Sequence, residues 1–479
     1  MPRLLGMPCM SRQCSRYLAC LVVLSLTVTS GCGVIARKTH DTYQKISAGS
    51  LRYQGRIGPL TPKELAWAKT AWKYFVNNTN PDTGLVNSID RYSTATAWHI
   101  GDYLSALMAA YQLGLIDKIE FDQRLSRVLE FLAKMELADG KLPNKFYNTK
   151  NGSMVNANGQ PAEAGWSAVD ISRLMVWLKI IGEHYPEYHE YLDKVIMRWG
   201  FCEVIDHCGT LYKATRNETN WDKKQEGRLG YEEYAGTGFS LWGFNANASR
   251  QIKLDQRVYV DKQSLLYDER DPRLTDTINP ILTPAYLLLG MEFGWQEGAK
   301  YSQYWPKGNG DVLKQQAESV YRVQEQRWQQ SKIFTARGDH YLAAPPYQLF
   351  DSIFANGYAW STLAENGQWY PKLSLVSTRA AFGMWVLWDT PYTTELMKVI
   401  EALFDKDRGW YEGRYEASGA YERIITSNTN AMVLESLLYK TRGQIFQSKQ
   451  KAGYFNVTLD KIYERPQHCL PPERPMCPL

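Results

Sequence analysis

The chain has 479 residues, of which 44% are hydrophobic and 22% are charged, the balance of a soluble globular protein with a sizeable core. The formal net charge of +5 includes a basic leader, and no Lys/Arg stripe or Gly-rich phosphate loop occurs, so no nucleic-acid partner is expected. Aromatic residues are abundant, with 16 Trp and 31 Tyr, and such rings serve as core or as platforms for the apolar faces of sugars.

Residues 1–32 have the order of an export signal. Three arginines precede the apolar run 17–30, which is too short to span a bilayer stably, and small residues follow it. The pair Gly31-Cys32 resembles a bacterial lipobox, which predicts lipidation of Cys32 and a periplasmic lipoprotein. Gly33 follows in place of an aspartate, which favours the outer membrane. The alternative is simple secretion. Residues 33–59 are predicted to be a tether.

Four cysteines remain after the export segment. They form two close pairs, Cys202 with Cys208 and Cys469 with Cys477, the second in a C-terminal extension spanning 446–479. An even number of cysteines in an oxidising compartment predicts local disulfides. The spacing does not fit a Cys-x-x-Cys site, and the seven histidines are scattered. No metal and no other cofactor is therefore expected.

Two kinds of helix alternate through residues 60–445. The first helix begins at the capping box Thr61-Pro-Lys-Glu64. Amphipathic segments fall near 61–78, 120–137, 187–200, 247–256, 311–329 and 392–404. Apolar segments with small residues at their starts fall near 93–113, 165–182, 233–246, 281–293, 376–389 and 427–441. Six alternations predict an all-α protein, an (α/α)6 barrel with the apolar helices inside.

Long loops precede the predicted inner helices, notably 138–164, 201–230 and 330–375. We expect them to gather on one face of the barrel. Loops on a rigid scaffold are where binding and chemistry concentrate. The functional site is therefore predicted on that face.

The Gly-rich stretch 227–244 delivers two adjacent glutamates, Glu232 and Glu233, onto the start of an apolar helix. Adjacent helical residues point about 100° apart, so only one of the two can face a cleft. Glu233 is the first choice, because three- and four-residue steps from it reach small residues. A carboxyl walled by aromatic rings has a raised pKa and can act as a general acid. Capping of the helix is the alternative role.

Several motifs together resemble a known family. They are Thr83-Gly-Leu-Val86 with Asp90, Ala95-Thr-Ala-Trp-His-Ile-Gly-Asp-Tyr-Leu104, Gly230-Tyr-Glu-Glu-Tyr-Ala235, Pro345-Pro-Tyr347, Gly409-Trp-Tyr-Glu-Gly413 and Ser427-Asn-Thr-Asn-Ala431. This ordered set, over residues 60 to 441, resembles a bacterial domain-of-unknown-function family of exported proteins related to glucoamylase-like (α/α)6 proteins, which include β-1,2-glucanases. The resemblance implies an (α/α)6 barrel and an oligosaccharide or polysaccharide partner.

The resemblance also points to site residues. The implied catalytic acids are Asp90, Asp102, Glu232 or Glu233, and Glu412. The family has an acidic residue after Trp98, where this chain has His99. The candidate substrate-binding residues are Trp98, His99, Trp166, Tyr231, Tyr234, Trp242, Asp339, Tyr347, Trp360, Arg379, Trp410 and Asn428. Four further loop acids, for which a solvated or capping role is expected, are Glu163, Asp170, Asp339 and Asp351.

Three functions compete. The first is a glycoside hydrolase on a bacterial β-glucan or exopolysaccharide, with two carboxyls and an inverting mechanism. The second is a glycan-binding lipoprotein without catalysis, which helps polysaccharide secretion or envelope assembly. The replacement of an acid by His99 would favour this second function. The third is a polysaccharide lyase, for which His340, Arg337 and Arg379 are the candidates for a base and for neutralising a uronate.

Overall fold

α-Helices are the main regular structure of the chain. The computed structural model describes residues 55–217, 220–252, 256–296 and 309–447, so the export segment, most of the tether, Cys32, Cys469 and Cys477 lie outside the described residues. The helices are α1 Pro62–Asn78, α2 Ala97–Gln112, α3 Lys118–Lys134, α4 Ala168–His184, α5 His189–Ile196, α6 Tyr231–Ser240, α7 Asn247–Arg250, α8 Pro272–Thr275, α9 Pro284–Phe293, α10 Asn309–Ser331, α11 Thr378–Leu387, α12 Pro391–Ile400 and α13 Ser427–Arg442. None of these described helices is long and apolar enough to cross a membrane.

Six helices contact one another in cyclic order. α2 packs on α4, α4 on α6, α6 on α9, α9 on α11, α11 on α13, and α13 on α2. We call these six the inner helices. Every residue of α9 and α11 is buried. Small residues allow the close approach, because a Cβ on Gly238 of α6 would stand 2.1 Å from the hydroxyl of Ser172 on α4.

Each inner helix is backed by a second helix. α3, α5, α7, α10 and α12 pack on the inner helix that precedes or follows them, and α1 packs on α13. The predicted start of α1 is confirmed, since the Thr61 hydroxyl accepts from the Glu64 N–H and the Glu64 carboxylate accepts from the Thr61 N–H. The alternation of apolar and amphipathic helices therefore follows the sequence pattern.

Short strands run through the chain and correct the all-α prediction. They are β1 Thr94–Ala95, β2 Leu137–Ala138, β3 Leu142–Pro143, β4 Phe146–Asn148, β5 Met154–Val155, β6 Gly165–Trp166, β7 Tyr212–Arg216, β8 Trp221–Gln225, β9 Arg257–Val260, β10 Gln263–Leu266, β11 Asp339–Tyr341, β12 Gln348–Asp351, β13 Phe354–Ala355, β14 Tyr358–Ala359, β15 Thr362–Leu363, β16 Leu375–Ser377, β17 Phe404–Asp405, β18 Gly409–Tyr415 and β19 Tyr421–Ile425. The paired strands are antiparallel, as expected of hairpins within loops.

One predicted helix is much shorter than expected. Within the described part of the segment 247–256, which leaves out 253–255, the helix is the four residues of α7, and a hairpin of β9 and β10 follows the segment. The β-branched pair Val258 and Val260 favours a strand. The turn is made by Asp261 and Lys262, both with positive φ.

The strands gather at the starts of the inner helices. β1 leads into α2, β6 into α4, β16 into α11 and β19 into α13. β18 pairs with both β16 and β19, which ties the N-terminal ends of α11 and α13 to one sheet. The backbone of Thr149, after β4, donates to Ser93 before α2. We call this end of the ring the mouth.

Candidate functional site

A small cavity lies between the inner helices near the mouth, and we call it the axial cavity. Its lining residues are Trp98, Asp102, Arg173, Tyr231, Pro284, Leu288, Arg379, Asn428 and Met432. All six inner helices supply them. The structure thus brings together five residues that the sequence singled out: Trp98, Asp102, Tyr231, Arg379 and Asn428.

Aromatic and charged groups meet on one wall of this cavity. The rings of Trp98 and Tyr231 are in edge contact, with centroids 5.7 Å apart. The Tyr231 hydroxyl donates to Asp339 Oδ1 at 3.2 Å. Arg379 forms a salt bridge with the same carboxylate, whose side chain keeps 13% of its exposure. Asp339 is therefore fixed at the mouth and still reached by solvent.

Asp102 presents one free oxygen. Arg173 Nε donates to Asp102 Oδ1 at 2.9 Å, while Oδ2 is buried without a hydrogen-bond partner. Burial raises the pKa of Asp102 to about 6, although Arg173 opposes the change. The carboxyl can therefore hold or release a proton in the mildly acidic range.

Asp170 is a partly accessible carboxyl at the start of α4. Burial and the nearby charge of Glu226 raise the pKa of Asp170 to about 7, with a hydrogen bond from Thr96 acting the other way. Glu226 is itself fixed, because its carboxylate accepts from the Ser167 hydroxyl at 2.9 Å and from the N–H of Val169 at 3.3 Å. An acid with this pKa is about half protonated at neutral pH, as a general acid requires.

Glu232 and Glu233 do not line the axial cavity. The axial face of α6 is formed by Tyr231 and Tyr234, which are three residues apart and share one side of the helix. Glu233 accepts from the N–H of Gly230 at 2.6 Å and lies near Tyr286 of α9. The expected inward orientation of Glu233 is therefore corrected by the 100° steps of the helix.

Both glutamates nevertheless have strongly perturbed protonation. Burial and the charge of Glu232 raise the pKa of Glu233 to about 8. Burial raises the pKa of Glu232 to about 7, opposed by its ion pair with Arg270. Gln225 also donates to Glu232 Oε1 at 3.1 Å. Both carboxyls can hold a proton near neutrality, although neither lines the axial cavity.

Two other predicted catalytic acids are saturated with partners. Asp90 accepts from Asn78 Nδ2 at 2.9 Å and from Arg408 Nε at 3.0 Å. Glu412 accepts from the Thr426 hydroxyl at 2.6 Å, from the Thr429 hydroxyl, and from the N–H of Tyr341 at 3.1 Å. These contacts hold both carboxylates in place, and the predicted catalytic role of both acids stays a prediction.

His99 caps the start of α2. Its Nδ1 accepts from the N–H of Thr96 at 3.2 Å, the place that a glutamate takes in a capping box. Burial lowers the pKa of His99 to about 4, although Asn428 opposes this, so the ring is neutral at physiological pH. His99 therefore adds no charge to the mouth.

Four aromatic residues that were predicted to bind substrate belong to the core instead. Trp166, Tyr234, Trp242 and Trp410 have 3% exposure or less. The indoles of Trp242 and Trp410 donate to the carbonyls of Met175 and Trp67. A ring without accessible surface offers no face to a sugar, which corrects the predicted role of all four.

Two predicted binding residues lie on the loop 330–375. Tyr347 is 60% exposed and follows the cis peptide bond between Pro345 and Pro346. Trp360 is partly exposed, and the guanidinium of Arg327 lies 4.4 Å from its ring centroid. Both rings therefore keep accessible surface.

A charged cluster that the sequence motifs did not predict lies under the axial cavity. Arg173 contacts Asp102, Glu292 and Glu435, which come from three other inner helices. A signal was present in the sequence, since each of these charges interrupts an otherwise apolar helix. Charged residues are almost never fully buried unless they are paired, so such an interruption predicts a partner.

The fold has relatives among solved structures of glycan-active proteins. An endo-β-1,2-glucanase from Chitinophaga pinensis, in complex with sophorotriose and glucose, is similar with a TM-score of 0.55 and 14% identity, over 84% of this chain and 98% of that one. An endo-β-1,2-glucanase from Talaromyces funiculosus, in complex with sophorose, has a TM-score of 0.53 and 8% identity, over 86% and 90%. Other matching structures carry glucoamylase names. The chain therefore has the glucoamylase-like and glucanase fold.

The family itself is shown by sequence. Residues 66–443 match the model of the family described as protein of unknown function DUF3131. The protein belongs to that family, as the ordered motifs indicated. No curated protein matches the chain by sequence.

Proposed function

We propose that this protein is an exported glycoside hydrolase acting on a bacterial β-glucan or exopolysaccharide, and that its ring of helices is an (α/α)6 barrel. The observation that carries the proposal is the set of aromatic and polar side chains at the mouth, around an axial cavity that itself has room for about one water. Rings such as Trp98 and Tyr231 suit the apolar faces of a sugar, and Asp102, Arg379 and Asn428 suit its hydroxyls. Solved relatives of the same fold include endo-β-1,2-glucanases, which favours a β-glucan.

Hydrolysis needs a general acid and a second carboxylate that activates water. Asp170 suits the acid, because it is partly accessible at the mouth and its pKa is raised to about 7. Asp339 suits the base, because Arg379 and Tyr231 hold its carboxylate at the mouth. In an inverting enzyme the two carboxyls stand roughly 6.5–9.5 Å apart, with water between them.

The alternative general acid is Glu232 or Glu233, as the sequence predicts. Their raised pKa values suit proton donation, and their place at the start of α6 is close to the mouth. A glycan bound beside α6 rather than along the axis would reach them. If Asp170 is the general acid, its variant should lose activity; if Glu232 or Glu233 is the acid, the variant of that glutamate should lose it instead.

The test is a panel of isosteric variants: Asp170→Asn, Asp339→Asn, Glu232→Gln and Glu233→Gln. Loss of the general acid should lower kcat by about 10²–10⁴ while glycan binding is kept, because the amide retains size but cannot donate the proton. Glu130→Gln, on the exposed face of α3, is the matched control and should be neutral. Wild-type rates in all four variants would overturn this assignment of the acid and base.

A glycan-binding protein without catalysis is the second candidate. The specific observation in its favour is that Asp90, Asp102 and Glu412 are engaged by Arg408, Arg173 and two threonines. Calorimetry with β-glucan oligosaccharides would then detect binding while no new reducing ends appear in the same samples.

The lyase alternative has less support. The side chains of His340 and Arg337 have 0% and 1% exposure and lie in a cluster with Asp351. Neither is placed to abstract a proton from a uronate or to neutralise its charge. Arg379 is paired with Asp339.

We also propose that the protein is a lipoprotein of the periplasm, anchored at the outer membrane through Cys32. The support is the order of basic, apolar and small residues before that cysteine. Disulfides joining Cys202 to Cys208 and Cys469 to Cys477 fit an oxidising compartment.

A further inference from the structure

One guanidinium holds together most of the inner ring. Arg173 of α4 donates to Asp102 of α2 at 2.9 Å and to Glu435 of α13 at 3.0 Å, and it also contacts Glu292 of α9. Its Nη1 lies 2.7 Å from the hydroxyl of Tyr234 on α6. Five of the six inner helices therefore meet at this point, directly beneath the axial cavity.

The charges of this cluster do not balance if every acid is ionised. Three carboxylates face one guanidinium, and all four side chains have 4% exposure or less. Arg379 is the other cation near Asp102, but it is paired with Asp339. Buried charge without compensation is strongly unfavourable, so the cluster retains at least one proton.

The hydrogen bonds exclude Glu292 as the acid that keeps the proton. Glu292 accepts from Trp177 Nε1 at 3.0 Å, from the Tyr234 hydroxyl at 2.9 Å and from Arg173, so both of its oxygens are satisfied as a carboxylate. Glu435 gives only Oε2 to Arg173. Its Oε1, like Asp102 Oδ2, is buried and accepts from no donor, so either oxygen could carry the proton, and only Glu435 has an acceptor carboxylate, that of Glu292, beside it.

The direction of the pKa shift of Glu435 agrees with a proton on this residue. Burial and the charge of Glu292 raise the pKa of Glu435 well above its ordinary value, while Arg173 opposes the change. Glu435 and Glu292 also lie within hydrogen-bond reach of each other. A protonated Glu435 would donate to the carboxylate of Glu292.

We propose that Glu435 is held as a carboxylic acid bonded to Glu292, and that this pair, through Arg173, positions Asp102 with Oδ2 free in the axial cavity. Arg173, Glu292 and Glu435 are then positioning residues for Asp102. The free Oδ2 would accept from a hydroxyl of the bound sugar. Only this last step rests on the proposed function, since the positioning concerns the protein alone.

The experiment follows the carboxyl of Asp102 by difference infrared titration of the ligand-free protein, with Asp102→Asn as the subtraction reference. Glu435→Gln keeps the size and neutrality of the protonated acid, so the pKa of Asp102 and the melting temperature at pH 7 should match the wild type. Glu292→Gln removes the only full counter-charge of Arg173 other than Asp102. It should lower both the pKa of Asp102 and the melting temperature.

Arg173 itself supplies the second arm. Arg173→Met should raise the pKa of Asp102 by about 1–3, because the nearby cation is gone, and Arg173→Lys should restore part of the change. If Arg173→Met does not fold, the two glutamine variants decide. A Glu435→Gln protein that melts as low as Glu292→Gln would overturn the proposal. So would an Asp102 titration that is the same in all folded variants. No sugar is needed, so failure here is distinct from failure of the hydrolase assignment.

Discussion

Burial removes water from His99 and from the acids around it, and this favours the neutral form of each side chain. It lowers the pKa of His99 to about 4 and raises the pKa of Asp102 to about 6. A neutral imidazole can accept the N–H of Thr96, which is what the helix start requires. At this position the histidine can thus cap the helix as an acid would, but it carries no charge.

Asp90 gives a residue-scale prediction. Its carboxylate joins Asn78 and Arg408, so Asp90→Asn should lower the free energy of unfolding by about 1.5–3 kcal/mol, the range for hydrogen bonds to charged groups. Urea denaturation measures the change. Hydrolysis should keep its wild-type kcat. A stable variant with a large loss of kcat would show instead that Asp90 is catalytic.

The sequence could identify the residues that surround the axis but not their partners. The motif containing Trp98 and Asp102 lies at the axial cavity, as does Asn428. Whether a carboxyl is free depends on residues far away in the chain, such as Arg408 for Asp90. Spacing along a helix carries no information about such contacts, so Asp90 and Glu412 looked equivalent to Asp102.

At the scale of elements, the short sheets determine where the inner helices begin. β6 precedes α4 and pairs with β7, with Trp166 opposite Ala214 and Gly165 opposite Thr215. These strands were hidden in the sequence because most have two or three residues, too few to show a period of two. The inner helices were easier to predict, since their apolar runs are long.

Gly165 tests this role of the sheets. Its φ is +101°, and a Cβ there would stand 2.1 Å from the carbonyl oxygen of Ala214. Gly165→Ala should therefore force β6 and β7 apart and cost more than about 2 kcal/mol of stability. Gly114→Ala is the matched control, with φ +71° and open space, and should cost only about 1–2 kcal/mol. Equal losses in urea denaturation would show that β6 does not constrain the mouth.

For the whole molecule, the buried acids make stability depend on pH. The pKa is raised to about 6 in Asp102, to about 7 in Asp170 and Glu232, and to about 8 in Glu233. Between about pH 4.5 and 8 the native state therefore binds more protons than the unfolded chain, and stability falls as pH rises. His99, with its pKa lowered to about 4, acts the other way and loses its contribution as pH falls from 6.5 through 4.

We therefore predict a higher urea midpoint at pH 5.5 than at pH 8, a difference on the order of a few kcal/mol in unfolding free energy. Glu233→Gln should reduce this slope, because its neutral side chain has no proton to lose. Asp271→Asn should leave the slope unchanged, since the pKa of Asp271 is already lowered to about 2 by Arg273. A higher midpoint at pH 8 would contradict the raised pKa values.

We propose that the mouth of this ring hydrolyses a β-linked glycan. The most direct measurement is product analysis after incubation of the mature protein with linear β-glucans, β-1,2-glucan first, and with bacterial exopolysaccharides. New reducing ends should appear, and proton NMR should show that their first-formed anomer is inverted relative to the substrate. The products should disappear in at least one variant among Asp170→Asn, Asp339→Asn, Glu232→Gln and Glu233→Gln. Binding of several of these glycans without any cleavage by the wild-type protein would contradict the claim.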